Sequence, residues 1–523
     1  MNSRNSPITV IIIACCAVLG LFAVLSILLS SGNGLAKLCF YLLIAGGVFG
    51  LLVPRTAFYF WIIACGYTDL LKRVMVVFGN IEQNDLYYVL GIPPMIFAAI
   101  TISMVVGGLT GSVVVRMRNW RLFAIGLMIM LVAGFMSAKG AGGSIKEGMQ
   151  GMINGGLYSL LLFVVPVMFN RGEEVLRVLR FSLWVMLPVA IYGIVQQKWG
   201  FQPFEVAYLR TGLSIEIKQL FTDRVRAFST LNSPTALATL SAMMMVTALS
   251  LARLPKPAPR ERQRWLMTVT AILMTVCYAG ALIASTGRSA VIVVVLGLVT
   301  CWCFLKKSRT TALYLAGAGS FLILVAVSPW LLNHLDEAMD WTATRVKQDS
   351  FAGQLAVVGT YSDRLYGFAH VLRNPEAYSL FGKWNGNWAD LPTNLYHHDL
   401  VSAALLRFGA VPLLVLLAAL ARVLTIWHRK LFRLEDRNAA RFTAMALGQV
   451  ASVLVLSVLS GNVLTVFPVN GFFWLFAGTV ILNFEPPMQI TPAPFRSSEG
   501  DFETLAGRTP GCSRFGQRKQ TAT

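Results

Sequence analysis

Residues 233–286 read SPTALATLSAMMMVTALSLARLPKPAPRERQRWLMTVTAILMTVCYAGALIAST. Two apolar runs, 233–252 and 266–286, flank a connection that carries Arg253, Lys256, Arg260, Arg262 and Arg264. Roughly 20 residues of helix cross the ~30 Å hydrocarbon layer of a bilayer. A short loop dense in Arg and Lys resists translocation and stays in the cytoplasm. The stretch therefore reads as two transmembrane helices joined on the cytoplasmic side.

The same alternation runs through the chain. Further apolar runs lie at 7–30, 34–53, 87–108, 120–137, 152–169, 179–196, 289–305, 311–332, 400–425, 442–460 and 463–483, with a shorter one at 56–67. The segment 68–85 mixes Lys72, Arg73 and Glu82 with Val and Phe and reads as an amphipathic interfacial helix. Charged residues make up 13% of the chain, about half the share usual in soluble domains, and 56% of residues are hydrophobic. A water-soluble globule is excluded. The expected fold is all-α: a polytopic helical membrane protein with about 12–14 transmembrane helices.

Alternate connections hold Arg116, Arg118 and Arg121; Arg171, Arg177 and Arg180; Lys306, Lys307 and Arg309; and Arg429, Lys430, Arg433 and Arg437. With 253–264 these form the cytoplasmic set. If 56–67 crosses, both termini are cytoplasmic, and the connections 138–151, 197–232 and 333–399 face outward. The net charge, 44 − 24 = +20, then reports topology, and no nucleic-acid surface is expected. Residues 1–483 read as one transmembrane domain with 333–399 as a long structured outward loop. The tail 484–523 loses apolar periodicity, is rich in Pro, Ser, Gly, Thr and Arg, and reads as a disordered cytoplasmic segment. The first run is too long for a signal-peptide core and is expected to stay as a helix. Of eight cysteines all but Cys512 lie in or beside apolar runs, with no CxxC pair, so they read as small buried hydrophobes.

The outward side collects the unusual residues. The loop 333–399 carries Asp336, Asp340, Asp363, Arg364, Trp384 and Trp388 and closes on Tyr396, His397, His398 and Asp399. A histidine at the mouth of a helix can take a proton near neutral pH. A second cluster, Asp223-Arg224-Val-Arg226-Ala-Phe-Ser-Thr-Leu-Asn232-Ser-Pro234, leads into the run at 233. There Asn232 or Ser233 can cap the helix and Pro234 sits in its first turn. The third, Ser285-Thr-Gly287-Arg288-Ser289-Ala290, sets one cation between two apolar runs. An Arg so bracketed calls for an anionic partner or a wet cavity. Three outward groups of this kind run against the positive-inside distribution.

In their order these clusters resemble the O-antigen ligase and polysaccharide polymerase family of bacterial inner-membrane glycosyltransferases. The family's first signature, roughly Arg-x-x-Gly-Thr-Phe-x-Asn-Pro-Asn-x-x-Ala, is matched here at Arg226, Thr230, Pro234 and Ala238, while Ser229, Leu231, Ser233 and Thr235 stand where the family has Gly, Phe and the two Asn. The second, Ser-Arg-Gly-Ala, is matched as Gly287-Arg288-Ser289-Ala290. The third, His-Asn with Gly eleven residues beyond the His, is matched by His398 and Gly409, with Asp399 in place of Asn. Arg364 and 374–382 look like the family's loop Arg and Pro-Leu-x-Gly turn. The likeness covers about residues 180–430. Asp399 and Arg407 depart from the pattern and put the acceptor and the local electrostatics in question.

The resemblance implies transfer of a glycan from a polyprenyl (undecaprenyl) diphosphate carrier to a sugar hydroxyl at the periplasmic face, inverting and without a metal or other cofactor. The residue types suit that chemistry independently. A diphosphate leaving group needs cations, for which Arg226 and Arg288 are the candidates, because guanidinium stays charged in a low-dielectric site and grips phosphate bidentately. The acceptor hydroxyl needs a base, assigned to His398 with His397 as fallback. Arg224, Arg364 and Arg407 are further candidate contacts to substrate, and Trp384 and Tyr396 candidate sugar platforms. The alternative reading is a transporter or flippase of the same lipid-linked oligosaccharide. It calls for ionisable residues deep in several spans, where of the candidate cations only Arg407 is expected.

Overall fold

The computed structural model describes residues 34–79, 85–140, 144–169, 172–211, 226–252, 261–287, 289–306, 308–317, 437–460 and 463–482, with 81, 213, 319, 334, 380, 410, 411, 414, 425, 427 and 429. All lie in the unit Met1–Phe484. Among them every regular element is helical: α1 Gly34–Leu52, α2 Pro54–Gly79, α3 Leu86–Leu90, α4 Ile92–Leu109, α5 Met117–Gly140, α6 Ile145–Gly151, α7 Leu161–Met168, α8 Gly172–Trp199, α9 Pro203–Arg210, α10 Pro234–Ala252, α11 Glu261–Ala284, α12 Ala290–Cys303, α13 Arg437–Ser460 and α14 Val469–Ile481. A π turn, Met152–Gly156, and a 3-10 turn, Leu157–Leu160, join α6 to α7 into one rod.

Six described segments are long and apolar enough to cross a membrane: Ile92–Leu109, Met117–Phe135, Ile145–Met168, Gly172–Trp199, Pro234–Ala252 and Ala439–Ser457. Shorter apolar helices cover Lys37–Leu52, Thr268–Ala284, Ala290–Cys303 and Val469–Ile481. The expected all-α protein with apolar membrane-length helices is thus observed. The expected runs at 7–30, 311–332 and 400–425 lie wholly or mostly outside the described residues.

Helix α10 is central. Ser233 Oγ accepts from Ala236 N at 3.2 Å and caps it, and Pro234 takes the first helical position, where its missing N–H costs nothing. Its small residues Ala236, Ala238, Ala242 and Ala248 are buried and admit α8, α11, α12, α13 and α14 around it. Close approach also marks α12 against α13: a Cβ on Gly448 would stand 3.0 Å from Gly297 O, so glycine is what lets the two backbones meet. At the periphery α5 leaves Met128, Leu131, Val132 and Phe135 exposed, an apolar face suited to lipid.

Two local expectations are corrected. The short run 56–67 and the interfacial segment 68–85 are not separate: α2 runs unbroken from Pro54 to Gly79, about 39 Å at 1.5 Å per residue. The charges at 69–73 do not end it, because each is paired and both Asp69 and Arg73 are buried inside the protein. Lys72 Nζ lies 2.9 Å from Asp69 Oδ1, and Arg73 pairs with Glu205. The connection expected at 138–151 shrinks to about residues 141–144, because α5 reaches Gly140 and α6 starts at Ile145. Ser144 caps α6, its Oγ accepting from Glu147 N at 3.4 Å. Both extensions are polar enough to fall below a hydropathy criterion and are helical nonetheless.

Candidate functional site

The first motif, 226–233, is a non-helical segment inside the bundle. Ala227, Phe228, Ser229, Thr230, Leu231 and Ser233 are all buried. Irregular backbone so placed must find partners for its N–H and C=O groups, since water does not supply them. Side chains from two helices do so here, and two hydroxyls of the segment bond back to the same helices. Arg73 of α2 donates from Nη1 to Ser229 O at 2.7 Å and from Nη2 to Leu231 O. Gln196 of α8 accepts at Oε1 from Ser229 N at 2.6 Å and from Phe228 N at 3.2 Å. Thr230 Oγ1 donates to Gly66 O of α2 at 2.6 Å, and Ser229 Oγ donates to Val189 O of α8 at 2.5 Å.

Glu205 of α9 joins the two clamps. Its Oε1 accepts from Arg73 Nη1 at 3.2 Å and from Gln196 Nε2 at 2.6 Å, while Oε2 accepts from Gln202 N at 3.0 Å. Arg73, Gln196 and Glu205 are 1%, 0% and 0% exposed. Burial of a lone charge is prohibitive, so the carboxylates of Asp69 and Glu205 are what permit the guanidinium to sit there. Phe228 covers the pair: Arg73 lies 4.4 Å from its ring centroid, and Phe201 stacks on the same ring at 5.0 Å.

The segment docks on the second motif. Ala227 N donates to Ala284 O at 3.2 Å, and Arg226 Nε donates to Thr286 Oγ1 at 2.8 Å. The turn is tied by Ser285 Oγ, which donates to Leu282 O at 2.7 Å and accepts from Gly287 N at 3.3 Å. Gly287 lies against α10: a Cβ there would stand 2.3 Å from Ala238 Cβ. Two backbone positions are left-handed, Ser229 at φ 56° and Thr286 at φ 53°. Such conformations in non-glycine residues are uncommon and survive where neighbours over-determine them, as they do here. Asn232 Oδ1 is buried and accepts no hydrogen bond from the described residues.

Of the residues singled out in the sequence, Arg226 is described, half-buried and joined to Thr286. Ser233 rather than Asn232 is the cap. Arg224, Arg288, Arg364, Trp384, Tyr396, His397, His398 and Arg407 lie outside the described residues. From the loop 333–399, His334 and Leu380 are described, and Leu380 O accepts from Val411 N at 3.0 Å. No group of three His, Cys, Asp or Glu able to hold a metal occurs among the described residues.

A separate cavity of about 250 Å³ lies between α8, α10 and α11, lined by Arg180, Leu183, Trp184, Leu251, Thr270 and Met274 among others. On α8 it is 16 residues from Gln196, about 24 Å along the axis, and so belongs to the other end of the bundle. Its lining is mainly apolar, and Arg180 is the one cation in it.

Sequence inspection missed Arg73, Gln196, Glu205 and Thr286. The signal for Arg73 was present: an arginine at the end of an apolar run, the same mark that drew attention to Arg288. No family model, curated protein or solved structure matches the chain.

Proposed function

We propose that the protein is a membrane glycosyltransferase that moves a glycan from a polyprenyl-diphosphate carrier to a sugar hydroxyl on the outer, periplasmic side of a bacterial inner membrane. The observation that carries this reading is the junction of two motifs 60 residues apart, Arg226 Nε on Thr286 Oγ1 and Ala227 N on Ala284 O, which brings the Arg226 segment to the turn that leads directly into Arg288. The resemblance to the O-antigen ligase and polysaccharide polymerase family supports it further. Where that family's signature has Gly, this chain has Ser229 in the left-handed conformation that glycine favours.

In this mechanism Arg226 and Arg288 bind the diphosphate. The acceptor oxygen forms a bond to the anomeric carbon as the bond from that carbon to the phosphate oxygen breaks. The electron pair leaves on the diphosphate, stabilised by the two guanidinium groups, and the hydroxyl proton passes to His398. Attack opposite the leaving group inverts the anomeric centre. Arg224, Arg364 and Arg407 extend the contacts to the anionic donor, and Trp384 and Tyr396 stack on sugar faces.

The test uses purified protein in liposomes, a polyprenyl-diphosphate oligosaccharide, and lipid-linked glycan or lipid acceptors supplied one at a time. Growth of one acceptor with release of polyprenyl diphosphate is the expected result, and which acceptor grows separates a ligase from a polymerase. Translocation of the lipid-linked glycan across the vesicle, with no transfer to any acceptor, would establish the transporter instead.

A further inference from the structure

We infer that Arg73, held by Glu205, is the positioning residue of the site: it sets where Arg226 stands by fixing the carbonyls of Ser229 and Leu231, and touches no substrate itself. The inference rests on the reading of Arg226 as a diphosphate ligand. Arg73 is far from that motif in sequence, 156 and 158 positions from the two carbonyls it bonds.

The geometry is economical of alternatives. From Ser229 to Leu231 the chain is not helical: Leu231 N closes a single turn on Phe228 O at 3.1 Å, and the carbonyls of Ser229 and Leu231 are bonded by Arg73 of α2. A guanidinium is the one side chain with a planar fork wide enough to serve two carbonyls and a carboxylate together. Gln196 supplies the complementary acceptor to the N–H groups of Phe228 and Ser229 and shares the same carboxylate. The result is a closed network in which every member is bonded: Arg73, Glu205, Gln196 and four backbone groups of the segment. Networks of this kind specify one conformation when complete.

Stability alone does not explain the arrangement. Buried ion pairs replaced by apolar residues of similar size commonly leave a protein as stable or more so, because desolvation offsets the attraction. What an apolar substitute loses here is direction: nothing else among the described residues bonds Ser229 O and Leu231 O except Gln196, at a long 3.4 Å to the former. Three residues upstream of Ser229, Arg226 meets Thr286. A phosphate ligand must be held to within a fraction of an ångström to act on a transition state, and displacement by about 1 Å costs on the order of a hundredfold in rate.

The test separates position from activity. In a background with the native cysteines replaced, Ala227→Cys and Ala284→Cys are introduced at the pair joined by the 3.2 Å backbone hydrogen bond, the closest link between the two motifs' backbones among the described residues. Copper-phenanthroline oxidation is then compared with and without Arg73→Met/Glu205→Gln, a pair of changes that leaves no unpaired charge. The expected result is a cross-linking rate at least tenfold lower in a protein that still elutes as one species. Glycan transfer, measured in the same change made without the cysteines, should fall roughly a hundredfold.

If the double variant does not elute as one species, Arg73→Lys takes its place. It keeps the charge but not the fork, and the same loss of cross-linking is expected. An unchanged cross-linking rate in the variant that folds overturns the inference. A fall in cross-linking beside a wild-type protein that transfers no glycan would leave Arg73 as the anchor of the segment and remove the glycosyltransferase reading alone.

Discussion

A single methyl group at Gly287 tests whether the two motifs pack as described. Built on the backbone, its Cβ stands 2.3 Å from Ala238 Cβ and 3.3 Å from Ser285 Oγ. Carbon atoms prefer about 3.5–4.0 Å, so the turn or α10 must yield by about 1.2–1.7 Å. Ala238 is 1% exposed on a helix packed against five others, so the turn is the part that moves. Overpacking of this kind costs about 1–3 kcal/mol. Because Thr286 adjoins Gly287, Arg226 loses its partner's position, and a shift of that size should lower transfer by about a hundredfold. Gly287→Ala, Ala238→Gly and the double variant form a cycle, read by reversible denaturation in mixed micelles and by initial transfer rate. Ala238→Gly alone should cost about 1 kcal/mol in helix propensity. The double variant should recover at least 1 kcal/mol of the summed loss, together with most of the rate. Additivity within about 0.5 kcal/mol, the behaviour of sites that do not touch, would refute the packing of one motif on the other.

Ser229 gives a second test, of backbone rather than packing. Ser229→Gly relieves about 1–2 kcal/mol of left-handed strain but loses the bond to Val189 O, worth about 0.5–1.5 kcal/mol, so stability should change by no more than about 1.5 kcal/mol. Ser229→Val, β-branched at the same φ, should lose about 2–3 kcal/mol, and equal stability of the two variants in the same micelle assay would contradict the conformation. Arg226→Lys should retain no more than a few per cent of the transfer rate, because an ammonium cannot bond Thr286 and grip a phosphate in a fork; full activity would remove the bidentate role. Arg288→Ala and His398→Ala should each lower transfer roughly a hundredfold or more while the protein remains inserted and monodisperse, and normal rates would refute those assignments. A chelator should leave the rate unchanged, whereas strict dependence on added Mg²⁺ would point to the loop carboxylates.

Apolar run length carried most of the fold, because a bilayer imposes a local requirement that a local reading can see. The run 233–252 became α10 almost residue for residue, and 34–53 became α1. What escaped was decided at long range. Asp69, Lys72 and Arg73 look like the end of a span until Glu205, more than 130 residues away, supplies the missing countercharge. Ser144 and Glu147 extend a helix through a cap that hydropathy does not register. In the candidate site the arginine of the first motif and its helix-capping Ser233 were legible from residue type and spacing. The clamp was not, since an Arg, a Gln and a Glu on three different helices leave no pattern in any one window. Nor was the left-handed Ser229, where the family signature's glycine was the hint.

The most direct measurement is a density map of the full-length protein in a lipid nanodisc with a polyprenyl-diphosphate glycan bound. The account predicts the diphosphate within about 3 Å of both Arg226 and Arg288, with His398 facing the anomeric carbon from the opposite side of the same cavity. A diphosphate bound elsewhere, or these three residues on separate faces of the bundle, would contradict it.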